Sequence, residues 1–168
     1  HWNTGNAVDT SFMFKRALSF NPVGMGGTQL GIGIGMWDTT NITTMESMFE
    51  EAISFNDDLF LWNTVGVNTM RGMFNGATSF SGTGSIATGN IGVSSWNTSN
   101  VTIMAEMFNG ASSFNADISG WNISSLLEAD NMLTATAFST ANYDLLLQGW
   151  SAQAPNIQTG VTLNLDAQ

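Results

Sequence analysis

An α/β repeat is the fold class this sequence predicts: a solenoid of about five coils, each a short parallel strand plus a short helix, with a C-terminal helix-strand cap. Three observations predict it. Tryptophan recurs as Trp2, Trp37, Trp62, Trp96 and Trp121, each opening the same phrase. Behind each of them, Met, Phe and Ala return at fixed distances. Within a copy, the apolar residues fall at helical spacing.

The register is tight. Counting from each Trp as zero, position 8 holds Met45, Met70 and Met104, and position 11 holds Met13, Met48, Met73, Met107 and Met132. Position 12 holds Phe14, Phe49, Phe74 and Phe108; position 15 holds Ala17, Ala52, Ala77 and Ala111; position 18 holds Phe20, Phe55, Phe80 and Phe114. The Trp spacings are 35, 25, 34 and 25 residues, so the first and third copies carry extra segments within Pro22 to Met36 and Gly82 to Ser95. These divide one domain, 1–168, into repeats at about 2–36, 37–61, 62–95, 96–120 and 121–138 and a cap at 139–168. A true period of a pair of coils follows, with the insertions on one face, which in repeat proteins is often the binding face.

Met45, Met48, Phe49 and Ala52 lie at i, i+3, i+4 and i+7, the one-sided pattern of a short amphipathic helix. Thr43 with Glu46 reads as its capping box, with Asn68 and Thr102 at the equivalent cap. Phe55 to Trp62, and its counterpart Phe114 to Trp121, read as the strand each coil adds to a parallel sheet. One coil cannot bury its apolar face; stacked coils share Trp, Met and Phe columns. The fifth copy is degraded, with Ala129 in place of the first Met and Thr136 in place of Ala. Asn142 to Trp150 then reads as a helix, and Val161, Leu163 and Leu165 as a final strand. The opposite end starts on a full repeat without a cap, which leaves room for more coils or a partner ahead of His1.

Composition narrows function. Three cations, Lys15, Arg16 and Arg71, face 13 acids for a formal charge of -10, a field that repels nucleic acid and anionic membrane surfaces. No cysteine is present to form a disulfide or thiolate site. No apolar run reaches bilayer-spanning length, so no membrane insertion is expected of this segment. His1-Trp2-Asn3 has neither an initiator Met nor a signal pattern and reads as the start of a mature or excised piece. Scarce Lys with abundant Asp and Asn suits an extracellular setting.

The pattern W-[DN]-T-x-N-[VI]-T-x-M-x-x-M-F-x-x-A-x-S-F-N-x-D-[IL], carried by Trp37 to Leu59 and Trp96 to Ile118, resembles the BspA-like leucine-rich-repeat family of bacterial surface proteins and mycoplasma lipoproteins. The resemblance covers about 130 residues and extends to the closing N-Y-D-L-L-L-Q-G-W. It implies a leucine-rich-repeat-like solenoid at the cell surface, engaged in adhesion and protein binding. The paired insertions depart from that pattern.

Catalytic constellations are nearly absent: the single His is residue 1, and no nucleophile elbow or phosphate loop occurs. The expectation is a non-catalytic extracellular or cell-surface interaction module whose partner is a protein or glycan on another cell or host surface. The alternative is a structural subunit of a filament, surface layer or virion surface, stacking end to end on neighbouring copies of itself. Candidate binding residues lie in the insertions: Gly31, Ile32, Ile34, Ile86, Asn90 and Ile91. No cofactor or metal is expected; Asp57, Asp58 and Asp117 are the candidates should a calcium ion bind, against a structural turn or ladder role for the same residues. The repeated Trps read as core rather than as a sugar-stacking ladder. Asn6, Asn41 and Asn100, at position 4, read as a hydrogen-bonded ladder.

Overall fold

A computed structural model describes residues 2–21, 33–84 and 91–161. The repeats stack as five layers, but the strand-plus-helix solenoid does not form. Among the described residues strand pairing is confined to isolated parallel bridges, one step per layer, running Asp9, Thr44, Thr69, Ile103 and Glu128. No sheet is present there, and the expected strands at 55–62 and 114–121 are turns and irregular chain. Helix at positions 8 to 15 is replaced by consecutive turns in every layer. A leucine-rich-repeat-like coil is therefore not the unit of this fold.

The backbone shows why. Positions 10 and 14 adopt positive φ in all five layers: Phe12 and Arg16, Ser47 and Glu51, Gly72 and Gly76, Glu106 and Gly110, Asn131 and Ala135. Two left-handed residues four apart stop an α-helix from propagating. Hydrogen bonds divide accordingly. In the second layer the N–H groups of Met48, Glu50 and Ala52 donate within the layer, to the carbonyls of Met45, Ser47 and Phe49. The alternate N–H groups, of Met45, Ser47, Phe49 and Glu51, donate to Thr69, Arg71, Met73 and Asn75 of the next layer, at 3.1, 2.8, 2.8 and 2.6 Å. Thr43 and Thr102, read as helix caps, instead donate their hydroxyls to the preceding layer, at Val8 and Asn68.

The burial pattern survives this change of backbone. Met45, Met48, Phe49 and Ala52 are fully buried, as are their counterparts in the third layer. Phe14, Phe49, Phe74 and Phe108 form one column with near-parallel rings 5.4, 5.4 and 5.7 Å apart. Phe20, Phe55, Phe80, Phe114 and Phe138 form a second. Trp62, Trp96 and Trp121 are buried and stacked at 6.2 and 6.3 Å. Their indole N–H groups donate to the carbonyls of Ile34, Leu59 and Val93, each three residues ahead of the preceding Trp in the series, so each ring gains a polar anchor as well as apolar burial.

Among the described residues a single α-helix, α1 (Thr140–Ser151), closes the last layer over the stretch that reads as helical in sequence. Ser139 caps it by accepting from the Asn142 N–H. Leu146 and Trp150 join the core. Gly149 lets the helix press close, since a Cβ there would come within 2.2 Å of the Ser119 carbonyl oxygen. The final strand read at Val161, Leu163 and Leu165 is not seen at Val161, and Leu163 and Leu165 lie outside the described residues.

Two stability outcomes follow. Phe74→Ala removes a fully buried ring held between Phe49 and Phe108 and is expected to cost about 3–5 kcal/mol in urea unfolding, whereas Val65→Ala at the exposed flank should cost under about 0.5 kcal/mol. Ala135→Gly relieves a left-handed residue with an exposed side chain and should stabilise by about 0.5–1 kcal/mol. In a helix the same change would destabilise by about 1 kcal/mol, so the sign of the shift reads the backbone directly.

Candidate interaction surface

Both insertions leave and rejoin the stack at the same corner. The first re-enters through the 3-10 turn Ile34–Met36 and the second through Gly92–Ser95, each running into the next Trp. Ile34 and Val93 occupy the place held by Leu59 and Ile118 in the plain layers, three residues before a Trp, and all four are buried. Ile34 is therefore an anchor of the first root and not an exposed contact. Ile91, at the second root, is 57% exposed. Gly31, Ile32, Ile86 and Asn90 lie outside the described residues.

Between the two roots runs Asn56-Asp57-Asp58 of the second layer. The Asn56 side-chain oxygen accepts from the N–H and hydroxyl of Ser81, at 3.0 and 3.1 Å, where the third layer departs into its insertion. Asp57 turns the other way and accepts from the Gly35 N–H at 3.4 Å, inside the first root. A Cβ on Gly33 would lie 2.5 Å from that carboxylate, so glycine is what lets the root pass. Burial pushes the Asp57 carboxyl above its usual value, opposed by the N–H groups of Gly35 and Asp58, which favour the charged form. The second root is closed by the Val93 N–H donating to the Gly82 carbonyl at 3.0 Å. Met36 and Leu61, each immediately before a Trp in adjacent layers, are exposed beside these roots. The corner thus combines fixed carboxylates with a small apolar ledge, the mixture that suits recognition of a polar partner carrying apolar groups.

The three acids considered for calcium serve turns. Asp57 and Asp58 accept from the N–H groups of Asp58 and Phe60, and Asp117 accepts from Ser119 at 2.9 Å. Among the described residues no group of three or more His, Cys, Asp or Glu converges on one point. An open groove of about 580 Å³, lined by Gly120, Asn122, Ser124, Gln153 and Asn156, has no ionisable side chain in its wall. All three cations are committed across layers: Lys15 to Glu50 and Arg16 to Glu51, both at 2.8 Å, and Arg71 to Glu128. The acidic excess therefore dominates the field around the stack.

Two columns of polar residues escape a reading by composition. Asn3, Asp38, Asn63, Asn97 and Asn122, directly after each Trp, accept from the N–H two residues on and set the same turn in every layer. Thr39, Thr64 and Thr98 follow, buried, each donating its hydroxyl to the next layer at Asn63, Asn97 and Asn122. The recurring W-[DN]-T signal was their trace in the sequence. Of the ladder read at Asn6, Asn41 and Asn100, two rungs are seen: Asn41 and Asn100 donate to Gly5 and Val65 of the preceding layer at 2.6 and 2.7 Å.

No helix among the described residues is long and apolar enough to cross a membrane. No curated protein and no solved structure matches the chain. A family model does match, twice, over residues 1–91 and 85–156, which together take in all five tryptophan-led layers and α1. The chain belongs to the family described as Mycoplasma protein of unknown function, DUF285.

Proposed function

We propose that this chain is a non-catalytic interaction module of an extracellular or cell surface, binding a protein or glycan through the corner where its two insertions emerge. The observation that carries this reading is the pinning of both roots by one segment, Asn56 to Asp58, between them. A layered core that brings two insertion roots to one corner is an arrangement suited to recognition, because the scaffold bears the ordering cost. The resemblance of the repeat to BspA-like surface proteins points the same way, and so does an acidic field with every cation already paired. End-to-end stacking of copies, on a filament, surface layer or virion, draws no support from the last layer, over which α1 is packed.

Removal of residues 22–32 and 85–90, with short Gly-Ser joins between the retained roots, tests the reading. Intact and shortened chains are applied to an array of immobilised host-surface glycoproteins and glycans. Species retained by the intact chain should lose at least about tenfold in affinity for the shortened one, while thermal unfolding stays cooperative. Equal retention by both chains would remove the insertions from the binding surface.

A further inference from the structure

The residue immediately ahead of each Trp is exposed, and its side chain shrinks along the stack: Met36, Leu61, Ser95 and then Gly120. At Gly120 the surface opens into the groove of about 580 Å³, within the roughly 300–1,000 Å³ of small-molecule sites. A Cβ on Gly120 would meet nothing within 4 Å, and its backbone lies outside the left-handed region, so neither packing nor φ demands glycine there. The groove walls come from two places: Asn122 and Ser124 belong to the last layer, and Gln153 and Asn156 to the segment after α1. That segment is held firmly. The Gln153 amide donates to the carbonyls of Trp121 and Gly149 at 2.9 and 3.3 Å, and its oxygen accepts from the Ile123 N–H at 2.9 Å. The Asn156 N–H in turn donates to the Gln153 carbonyl at 2.8 Å.

The bonds already made around the groove define its ligand. The carbonyls of Trp121, Asn122 and Ser124 accept from Gln153, Thr98 and Gln158, and the N–H groups of Ile123 and Ser124 donate to Gln153 and Asn122. An extended peptide, which docks by pairing with free backbone, finds no open row here. The groups that take no partner among the described residues are the Asn122 amide nitrogen, the Ser124 hydroxyl and both ends of the Asn156 amide. Three neutral side chains thus offer donors and acceptors together. No charged side chain lines the wall, so an ionic ligand gains no counter-charge, and an anion is further opposed by the net charge of -10. We propose that this groove is a binding site for a neutral saccharide, whose neighbouring hydroxyl groups donate and accept at once. Gly120 leaves room for the sugar ring where a side chain such as Leu61 would fill the space. The groove shares no residue with the insertion corner, so either reading stands if the other fails.

The test titrates the full chain by calorimetry with neutral hexasaccharides, namely maltohexaose, cellohexaose, mannohexaose and N-acetylchitohexaose. Hexagalacturonate serves as the charged counterpart and a Gly-Ser hexapeptide as the neutral peptide. Saturable binding of at least one neutral hexasaccharide is expected, with a Kd of about 0.1–1 mM, and none of the charged sugar or the peptide. Gly120→Leu, which places in the groove the side chain found at Leu61, should weaken that binding at least about tenfold while thermal unfolding stays unchanged. Asn156→Ala, at an exposed side chain that no described neighbour uses, should weaken it about fivefold with the same unfolding. Absence of saturation by every neutral hexasaccharide up to about 10 mM overturns the proposal. Affinity left unchanged by either variant overturns it as well, and so does equal binding of hexagalacturonate or of the hexapeptide, which would make the groove an anion or peptide site.

Discussion

Alternation of the backbone N–H groups is the constraint on which the whole molecule rests. Between positions 8 and 15 one N–H closes a turn inside its own layer and the next crosses to a neighbour, a division imposed by two left-handed residues per repeat. Buried peptide groups need partners. A layer taken alone would leave half of these donors unsatisfied, and only stacking supplies the rest. Cohesion is therefore a property of interfaces, and the side-chain columns follow from the register that those interfaces set.

The polar columns extend the same logic to the flank. Asx turns after each Trp fix where the chain heads, buried threonines tie that turn forward, and Asn41 and Asn100 tie it back. At the last layer, over which α1 is packed, the segment after α1 takes over these roles: the Gln153 amide bonds the Trp121 carbonyl and the Ile123 N–H, and Gln158 bonds Ser124. Ile123 stands where the inner layers carry threonine, as suits a position with no onward carbonyl to reach. This end is finished by side chains and a helix.

How much of this could be read from residues alone depends on which signal is asked. Layering and the buried set were legible, because Trp, Met, Phe and Ala recur in register. The backbone was not. Burial at i, i+3, i+4 and i+7 is satisfied by a helix and equally by a run of turns, and the residues that decide between them are mostly ordinary: Phe12, Arg16, Ser47, Glu51, Glu106 and Ala135 carry no mark of a left-handed φ, whereas Gly72, Gly76, Gly110 and Asn131 hint at it. The strand reading failed on a visible cue, since the buried residues Phe55, Leu59 and Trp62 are spaced by four and three rather than two. For the surface, Ile34 sits in a Gly/Ile run typical of an exposed insertion, while its place three residues before a Trp, shared with Leu59 and Ile118, marks it as core. Asp57 and Asn56 act through partners distant in sequence, which composition cannot supply.

The methionine columns carry one more consequence, for chemistry in an oxidising medium. Met45, Met48, Met70, Met73, Met104, Met107 and Met132 are fully buried, whereas Met13 and Met36 are exposed. Oxidation to the sulfoxide converts a flexible apolar chain into a polar one and needs solvent access. The two outer sulfurs can thus be consumed at the rim with the stack intact. Damage to any inner one would record that neighbouring layers had parted, making the thioethers a built-in register of how often this protein opens.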